Sequence, residues 1–444
     1  MTPRPYQKPS IDALTKALPR FGVALDASDT GVGKTFVAAF TAKALGWPVA
    51  VVCPKAVIPS WRDALDLVGV RALFIENVEK MRARQEWIRE VCKKRTRDEE
   101  AKREWEWTLP ERCLLVFDEC HRFSGQDTAN AHILKAAPKP VLMLSATCAD
   151  SPIKMRAIGH QLGLTTWEDW YGWCFKNGCR KNVPFGGLKF IGGEEILHRI
   201  HKAIFPQKGV RLRIADLGDA FPENSVEAVP IPVDEANALD QEYLAALEAL
   251  EAEAPNSAVL LLRARQKSEF LKIPAIVEMA EDLLEEGKSV AIFVCFRDTL
   301  DRIAEDFPQA ALIYGEQDAD EREQAIAAFQ SNDKRLIVAT IQAGGVGVSL
   351  HDLQGGHPRV SLICPTYSAV DLKQALGRIH RNGAKTPCIQ RILFAADTVE
   401  ERVRRKVKKK IDNIQAINDG DLSPYENIPK PHDSPTSENE AGEN

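Results

Sequence analysis

Asp26–Thr35 reads DASDTGVGKT and follows the apolar segment Phe21–Leu25. An apolar strand running into Gly-x-Gly-Lys-Thr and then into a helix-forming stretch is a phosphate-binding loop. Gly31 and Gly33 let backbone N–H groups, with those of Thr30 and Val32, approach and cradle phosphate oxygens. Lys34 supplies a point charge to the outer phosphates. Thr35 offers a hydroxyl to Mg²⁺, and the following helix presents its positive end. The general pattern opens on a glycine where this chain has Ser28.

Such a loop works beside an acidic strand end. Asp118–His121 reads DECH, directly after the apolar run CLLVF. A strand ending in Asp-Glu puts both carboxylates at the carboxyl edge of a sheet. Asp118 is expected to hold Mg²⁺ through water, and Glu119 to orient and polarise an attacking water. ATP and Mg²⁺ are therefore the expected cofactors. Val141–Thr147 reads VLMLSAT, another buried strand, ending in the hydroxyls of Ser145 and Thr147 that can contact the acidic motif.

Further apolar runs recur at Val49–Cys53, Ser289–Cys295, Arg335–Ala339, Val360–Cys364 and Ile389–Leu393. Helix-like stretches such as Asp320–Gln330 and Ala369–His380 lie between runs. Strand–helix alternation predicts an α/β fold with parallel sheets. The runs fall into two groups, one ending near Leu144 and one starting near Ser289, which predicts two lobes with a mostly helical insertion between them. The expected division is 1–225, including an insertion over about 155–225, then 226–417. A boundary is expected near Glu223–Asp234. An acidic, Ser/Pro-rich tail over 418–444 is expected to be disordered.

The second group supplies cations. Gln374–Arg381 reads QALGRIHR. On a helix, Arg378 and Arg381 share a face, with Gln374 one turn earlier. Guanidinium groups there can meet the γ-phosphate from the opposite lobe. Thr340–Leu350 reads TIQAGGVGVSL, where Gly344, Gly345 and Gly347 permit tight turns and close approach to a ligand.

Bulk properties fit a globular chain. Of 444 residues, 44% are hydrophobic and 27% charged. The net charge of −5 gives no global pull toward a polyanion, so any nucleic-acid contact must be a local basic groove. The ten cysteines lack disulfide-like spacing and read as reduced thiols. No apolar run reaches membrane-spanning length. These features predict a cytoplasmic protein, a monomer, without membrane contact.

In combination and order, the motifs resemble those of superfamily-2 helicases, and within them the Swi/Snf-type double-stranded DNA translocases. Arg4–Gln7, RPYQ, resembles that group's adenine-reading motif, which implies adenine contacts from Arg4 and Gln7. Val52–Trp61, VCPKAVIPSW, is similar to its motif Ia, and QALGRIHRNGA to its motif VI. Tyr314-Gly315, Arg322 and Phe329 stand where the family places similar residues. The resemblance spans Arg4 to Arg402. It departs at Ser28-Asp29-Thr30, where the family has an acidic pair, and at SATCADSP, where it has Thr-Gly-Thr-Pro. The segment Phe175–Arg213, with Arg263–Leu284, is similar to the annealing and fork-remodelling branch.

The resemblance implies two RecA-like lobes, ATP binding by Gly347 and Gln374, and ATP-driven movement on duplex or branched DNA without sequence preference. Lys55, Thr340, Gly344, Gly345, Ser145 and Thr147 are then the candidates for DNA contact or coupling. A strand-separating DNA or RNA helicase, a non-hydrolysing nucleotide clamp, and the motor subunit of a restriction or defence complex are the competing readings.

Four features fall outside these motifs. Lys80–Arg103 predicts a charged amphipathic helix with Trp87, Trp105 and Trp107 packed inward, with a DNA-contacting insertion as the alternative. Arg402–Lys410, RVRRKVKKK, predicts a basic helix end that touches DNA or solvates a brace helix. Cys174, Cys179, His198 and His201 could form a metal site, although buried free Cys and His are the commoner outcome. Trp167, Trp170, Tyr171 and Trp173 read as core, with a base-stacking platform as the alternative.

Overall fold

The computed structural model describes residues 1–84, 86–93, 102–182, 187–217, 221–234, 236–251, 257–344, 348–366, 368–398 and 400–419. Its first half runs through β1 (Val23–Asp26), β2 (Val49–Val52) and β3 (Ala72–Glu76). A hairpin of β4 (Ile88–Lys93) and β5 (Lys102–Trp107) precedes β6 (Leu114–Asp118) and β7 (Val141–Leu144). A second hairpin, β8 (Cys179–Lys181) with β9 (Leu188–Phe190), is followed by β10 (Gly209–Val210). The second half contains β11 (Asn224–Ile231), β12 (Ser289–Val294), β13 (Ala311–Ile313), β14 (Leu336–Thr340), β15 (Arg359–Ile363) and β16 (Cys388–Ala395).

These strands make two six-stranded sheets, in the orders β10-β1-β7-β6-β2-β3 and β11-β16-β15-β12-β14-β13. Every pairing within them is parallel. Both faces of each sheet are covered. In the first, Val23, Leu25, Leu115, Phe117 and Met143 enter one core, while Ala24, Leu114, Val116 and Leu142 enter the other. In the second, Ala291, Phe293, Ile337 and Ala339 oppose Val290, Ile292, Val338 and Leu362 in the same way. Strands buried on both sides read as unbroken apolar runs. The α/β class with two parallel-sheet lobes is thus the architecture found.

One expectation needs correction. Lys80–Arg103 is not one helix: a helix over Val78–Arg84 gives way to the β4–β5 hairpin. In β5, Trp105 and Trp107 alternate with Glu104 and Glu106, a period-2 pattern that suits a strand. Trp87, Trp105 and Trp107 do pack against the first core. Within the stretch around Glu223–Asp234, β11 pairs along its whole length with β16. It lies at the sheet edge, where Pro230 costs least.

Between β7 and β10 stand helices Arg156–Leu162, Trp170–Lys176 and Glu194–Ile204 with the β8–β9 hairpin. The last helix, Glu400–Asp419, joins the lobes. Ile411 and Ile414 sit in a second-lobe core, and Ile417 in a first-lobe core. Residues 420–444 of the expected tail lie outside the described residues, as do the side chains of 402–407 in the basic stretch. Among the described residues, no helix is long and apolar enough to cross a membrane.

Candidate active site

β1, β7 and β6 are neighbours, so the phosphate loop, the Ser145–Thr147 loop and the Asp118–Glu119 pair emerge side by side at one sheet edge. Ligands of open parallel sheets bind at this carboxyl edge. Gly31 and Gly33 take φ values of 88° and 89°, which disfavour any other residue. Space demands glycine as well. A Cβ on Gly33 would lie 2.7 Å from Gln7 Nε2, and one on Gly31 would lie 3.0 Å from Arg381 Cγ. Helix Lys34–Leu45 begins at once, with Thr35 in its first turn.

Gln7 is buried and ties the N-terminal segment to this loop. Its Nε2 donates to the Val32 carbonyl at 3.1 Å, and its Oε1 accepts from the Arg4 N–H at 3.1 Å. The Tyr6 hydroxyl reaches the same Val32 carbonyl at 3.4 Å. The Arg4 side chain is exposed. Lys34 Nζ donates to the carbonyls of Ser28 and Asp29 at 2.9 and 3.0 Å, so the lysine is folded onto its own loop.

The departures at Ser28 and Asp29 have a structural use. Asp29 accepts from Arg211 at 2.8 Å and from the Ile214 N–H at 3.0 Å. Ser28 Oγ accepts from the Leu212 N–H at 3.0 Å. Both residues fasten the loop to the chain that follows β10. Burial opposes ionisation of Asp29, but the charges of Arg211 and Lys373 outweigh it and hold the carboxyl at about 2.

Asp118 Oδ2 accepts from Trp61 Nε1 at 2.8 Å, and Oδ1 accepts from the Glu119 N–H at 2.9 Å. Glu119 adopts φ 50°, unusual for a residue with a side chain. Its carboxylate lies 3.3 Å from His121 Nδ1. Burial and then the neighbouring Glu119 charge push Asp118 up to about 6. Burial also penalises Glu119, yet its hydrogen bond and charge contact with His121, then Lys34 and Arg378, hold it at about 2. Of the pair, Glu119 is the one that gives up its proton more readily. His121 Nδ1 also lies 3.0 Å from Ser145 Oγ and 3.4 Å from Thr147 Oγ1. Its Nε2 is 3.4 Å from Gln374 Nε2 of the second lobe. His121 thus connects the acidic pair, the hydroxyl loop and the second lobe.

The expected helix over Ala369–His380 ends early. Helix Ala369–Leu376 carries Gln374, and Gly377 terminates it. Arg378 and Arg381 lie in the turn beyond, so they share no helix face with Gln374. Contact with the first lobe explains the departure: a Cβ on Gly377 would fall 2.0 Å from Thr30 Oγ1, so the turn lies directly on the phosphate loop. Arg378 donates to the carbonyls of Gln374 at 2.9 Å and Val348 at 3.0 Å. Arg381 donates to the Gly377 carbonyl at 3.0 Å and to Ser349 Oγ at 2.8 Å. Burial lowers the affinity of both guanidinium groups for their proton, and the Glu119 charge works against that.

The remaining candidates are dispersed. Lys55 is exposed just after β2, and Thr340 ends β14, half-buried. Gly344 is buried, with room for a Cβ denied by Ala339 at 2.7 Å. Gly345 and Gly347 lie outside the described residues. A cleft of about 440 Å³ separates Thr147, Cys148, Asp150 and Lys154 of the first lobe from Ile341, Gln342 and Ser368 of the second.

Sequence reasoning missed Trp61, Arg211, Lys373 and Asn418. Asn418 is fully buried; its Nδ2 donates to the Ala146 carbonyl at 2.9 Å, and its Oδ1 accepts from Cys148 Sγ at 3.2 Å. Lys373 Nζ reaches the same Ala146 carbonyl at 3.5 Å. Only Trp61 carried a signal, as the last residue of VCPKAVIPSW. The four Cys and His residues form no centre: Cys174 and Cys179 contact each other, and His201 Nδ1 faces the Ile417 carbonyl at 3.0 Å. Among the described residues, no group of three His, Cys, Asp or Glu is placed to hold a metal.

Residues 1–150 match the family model of the type III restriction enzyme res subunit, and residues 272–383 match that of the helicase conserved C-terminal domain. A protein of Acanthamoeba polyphaga mimivirus that carries the name ATP-dependent RNA helicase L364 is 34% identical over 94% of this chain and 84% of its own length. The chain belongs to the superfamily-2 helicases. It is accordingly a helicase-type, ATP-hydrolysing motor that acts on nucleic acid. Another relative is the Caenorhabditis elegans homologue of SWI/SNF-related matrix-associated actin-dependent regulator of chromatin subfamily A-like protein 1. It is 26% identical over 93% of this chain and 61% of its own length. Saccharomyces cerevisiae Dbp5, solved with RNA and ADP-BeF₃, shares the RecA-like helicase fold at a TM-score of 0.50 and 12% identity, covering 92% of each chain.

Proposed function

We propose that this helicase is an ATP-driven translocase on double-stranded DNA that remodels branched DNA or displaces bound proteins. The observation that supports a motor most directly is the Gly377–Arg381 turn of the second lobe seated on Thr30 and Gly31 of the phosphate loop. Nucleotide bound at that loop then meets both lobes, so its binding and hydrolysis set the spacing between them.

Each half of the site has its part. Backbone N–H groups of Thr30 to Gly33 receive phosphate oxygens, and Lys34 exchanges the carbonyls of Ser28 and Asp29 for the outer phosphates. Thr35 and Asp118 fit the Mg²⁺ that accompanies ATP: a hydroxyl in the first turn after the phosphate loop and a carboxylate at the end of β6, on the same sheet edge. Held there, the metal would supply charge neutralisation for the transferred phosphoryl group. Glu119, kept ionised by His121, orients and polarises the attacking water. Arg378 and Arg381 leave neutral carbonyl partners to meet the charge of the transition state. Arg4 and Gln7 face the adenine end, with Gln374 and Gly347 completing the nucleotide contacts. Lys55, Thr340, Gly344 and Gly345 grip or follow the DNA backbone, and Ser145 and Thr147 couple it to the acidic pair through His121. Backbone gripping gives sequence-tolerant, salt-sensitive binding.

Preference for duplex DNA rests on the similarity of VCPKAVIPSW and QALGRIHRNGA to the Swi/Snf-type motifs, and on the SWI/SNF-related name of the nematode relative. A second reading, a strand-separating helicase on RNA, is favoured by the name of the mimivirus relative and by the Ser145-Ala146-Thr147 motif. ATP hydrolysis measured without nucleic acid and with single-stranded DNA, duplex DNA, forked DNA and RNA separates them. The translocase reading expects strong stimulation by duplex or forked DNA. Stimulation by RNA alone overturns it.

A further inference from the structure

From Trp170 to Gly193 the sequence carries Lys176, Arg180, Lys181 and Lys189 and no carboxylate, in a chain whose net charge is −5. This segment is helix Trp170–Lys176 and the β8–β9 hairpin. One side is a small core in which Trp170, Cys174 and Cys179 are buried, with Ile153, Leu188 and Phe190 against them. The other side leaves apolar groups in solvent: Tyr171 is 51% exposed, Phe175 37% and Ile191 59%. Tyr171 and Phe175 are four residues apart on the helix and share a face. An exposed aromatic pair is a cost that the small core beneath it does not require.

The cations gather beside those rings. Arg180 Nη1 donates to the carbonyls of Phe175 at 3.3 Å and Cys179 at 2.8 Å, which fixes the guanidinium at the helix end. Arg180 stands directly opposite Lys189 in the hairpin register. Like charges in that position destabilise a hairpin unless an anion is shared between them. Among the described residues, no carboxylate forms an ion pair with Lys176, Arg180, Lys181 or Lys189. The outcrop rests through Ile153 and the Pro152 carbonyl on the short helix Pro152–Met155. That helix carries Lys154, which with Asp150 lines the cleft between the lobes. The outcrop therefore flanks the cleft.

We propose that this outcrop binds unpaired bases at the junction of duplex and single-stranded DNA, with Tyr171 and Phe175 as the stacking surface and Lys176, Arg180 and Lys189 on the phosphates. Stacking requires an open base face, which a duplex hides, so the aromatic pair selects the unpaired strand while the cations serve either. This rests on the branched-DNA reading above and adds the element that would recognise the branch.

The test measures binding by the full chain to a labelled blunt duplex, the same duplex with forked single-stranded arms, and a single strand. Replacing Tyr171→Ala together with Phe175→Ala is expected to weaken fork and single-strand binding about tenfold, while duplex affinity and duplex-stimulated ATP hydrolysis stay within about twofold. Arg180→Gln with Lys189→Gln is expected to reduce the salt dependence of fork binding by about two phosphate contacts. Fork affinity unchanged in the aromatic variant, or an equal loss on duplex and fork, overturns the proposal. So does poly-glutamate binding as tightly as the fork, which would mark an acidic-peptide surface. Absence of duplex stimulation in the parent protein contradicts the translocase reading instead, and the fork and single-strand comparison still decides this one.

Discussion

In the first lobe the acidic pair and the phosphate loop stand where strands end, held by bonds within that lobe: Asp118 by Trp61, Glu119 by His121, and the loop's Asp29 by Arg211. In the second lobe the corresponding residues stand past the end of a helix, and their charged groups are spent on carbonyls and a hydroxyl of their own lobe. One half of the site is arranged in advance, and the other is parked against it. Under the proposed function, the difference says where motion enters. Carboxylates and glycines can wait in place, whereas on that reading Arg378 and Arg381, like Lys34 of the first lobe, would exchange partners once nucleotide arrives.

The largest expected effect is in the prearranged half. Glu119→Gln keeps the shape of the site but removes the carboxylate that polarises water. Its hydrolysis rate should fall about 10³-fold with ATP affinity little changed. A steady-state assay beside a nucleotide-binding titration checks this, and hydrolysis at the parent rate would remove Glu119 from the chemistry.

The contact between the halves can be broken next. Gly377 has φ −84°, which alanine adopts freely, so Gly377→Ala leaves the second lobe able to fold. Its Cβ would meet Thr30 Oγ1 at 2.0 Å, however, and must push the turn off the phosphate loop. Hydrolysis should fall about 10²-fold, since misplacement on the ångström scale costs that much. An unchanged far-UV spectrum would confirm that the fold survives, and an unchanged rate would show that the close contact is dispensable.

Much of this comparison was legible in the sequence, and what was not has physical reasons. The buried strands announced themselves as apolar runs, and the phosphate loop and DECH lie within a few consecutive residues each. The edge strand β11 did not, because an edge tolerates Pro230 and Glu227, which interrupt an apolar run. Gly377 was readable as a helix stop in QALGRIHR, but periodicity favoured continuing the helix through it. The bonds from Trp61 to Asp118, Arg211 to Asp29 and Asn418 to Cys148 join residues far apart in the chain. No local pattern encodes them; they follow from which strands the sheet sets side by side.

The smallest expected effect separates the lobes by acid. Burial, then the charges of Arg381 and Arg359, lower His351 in the second lobe to about 4 from its ordinary 6.5. Above pH 6.5 the imidazole is neutral whether folded or not and contributes nothing. As pH falls from about 6.5 toward 4 the unfolded chain takes up the proton and the folded one does not, so stability declines. His351→Gln should remove that share of the slope. All eight tryptophans lie between Trp47 and Trp173, so their fluorescence reports the first lobe while far-UV circular dichroism reports both. The substitution should flatten the dichroism profile and leave the tryptophan profile nearly unchanged.

The central claim is that one nucleotide site is shared between a fixed half and a parked half. Single-turnover hydrolysis by Arg378→Ala and Arg381→Ala proteins, with ATP affinity titrated separately, addresses it most directly. The account predicts affinity within about threefold of the parent and a hydrolysis rate lowered at least about 10²-fold in each, because the guanidinium groups act only as charge develops. Hydrolysis at the parent rate in both variants would contradict it and confine the chemistry to the first lobe.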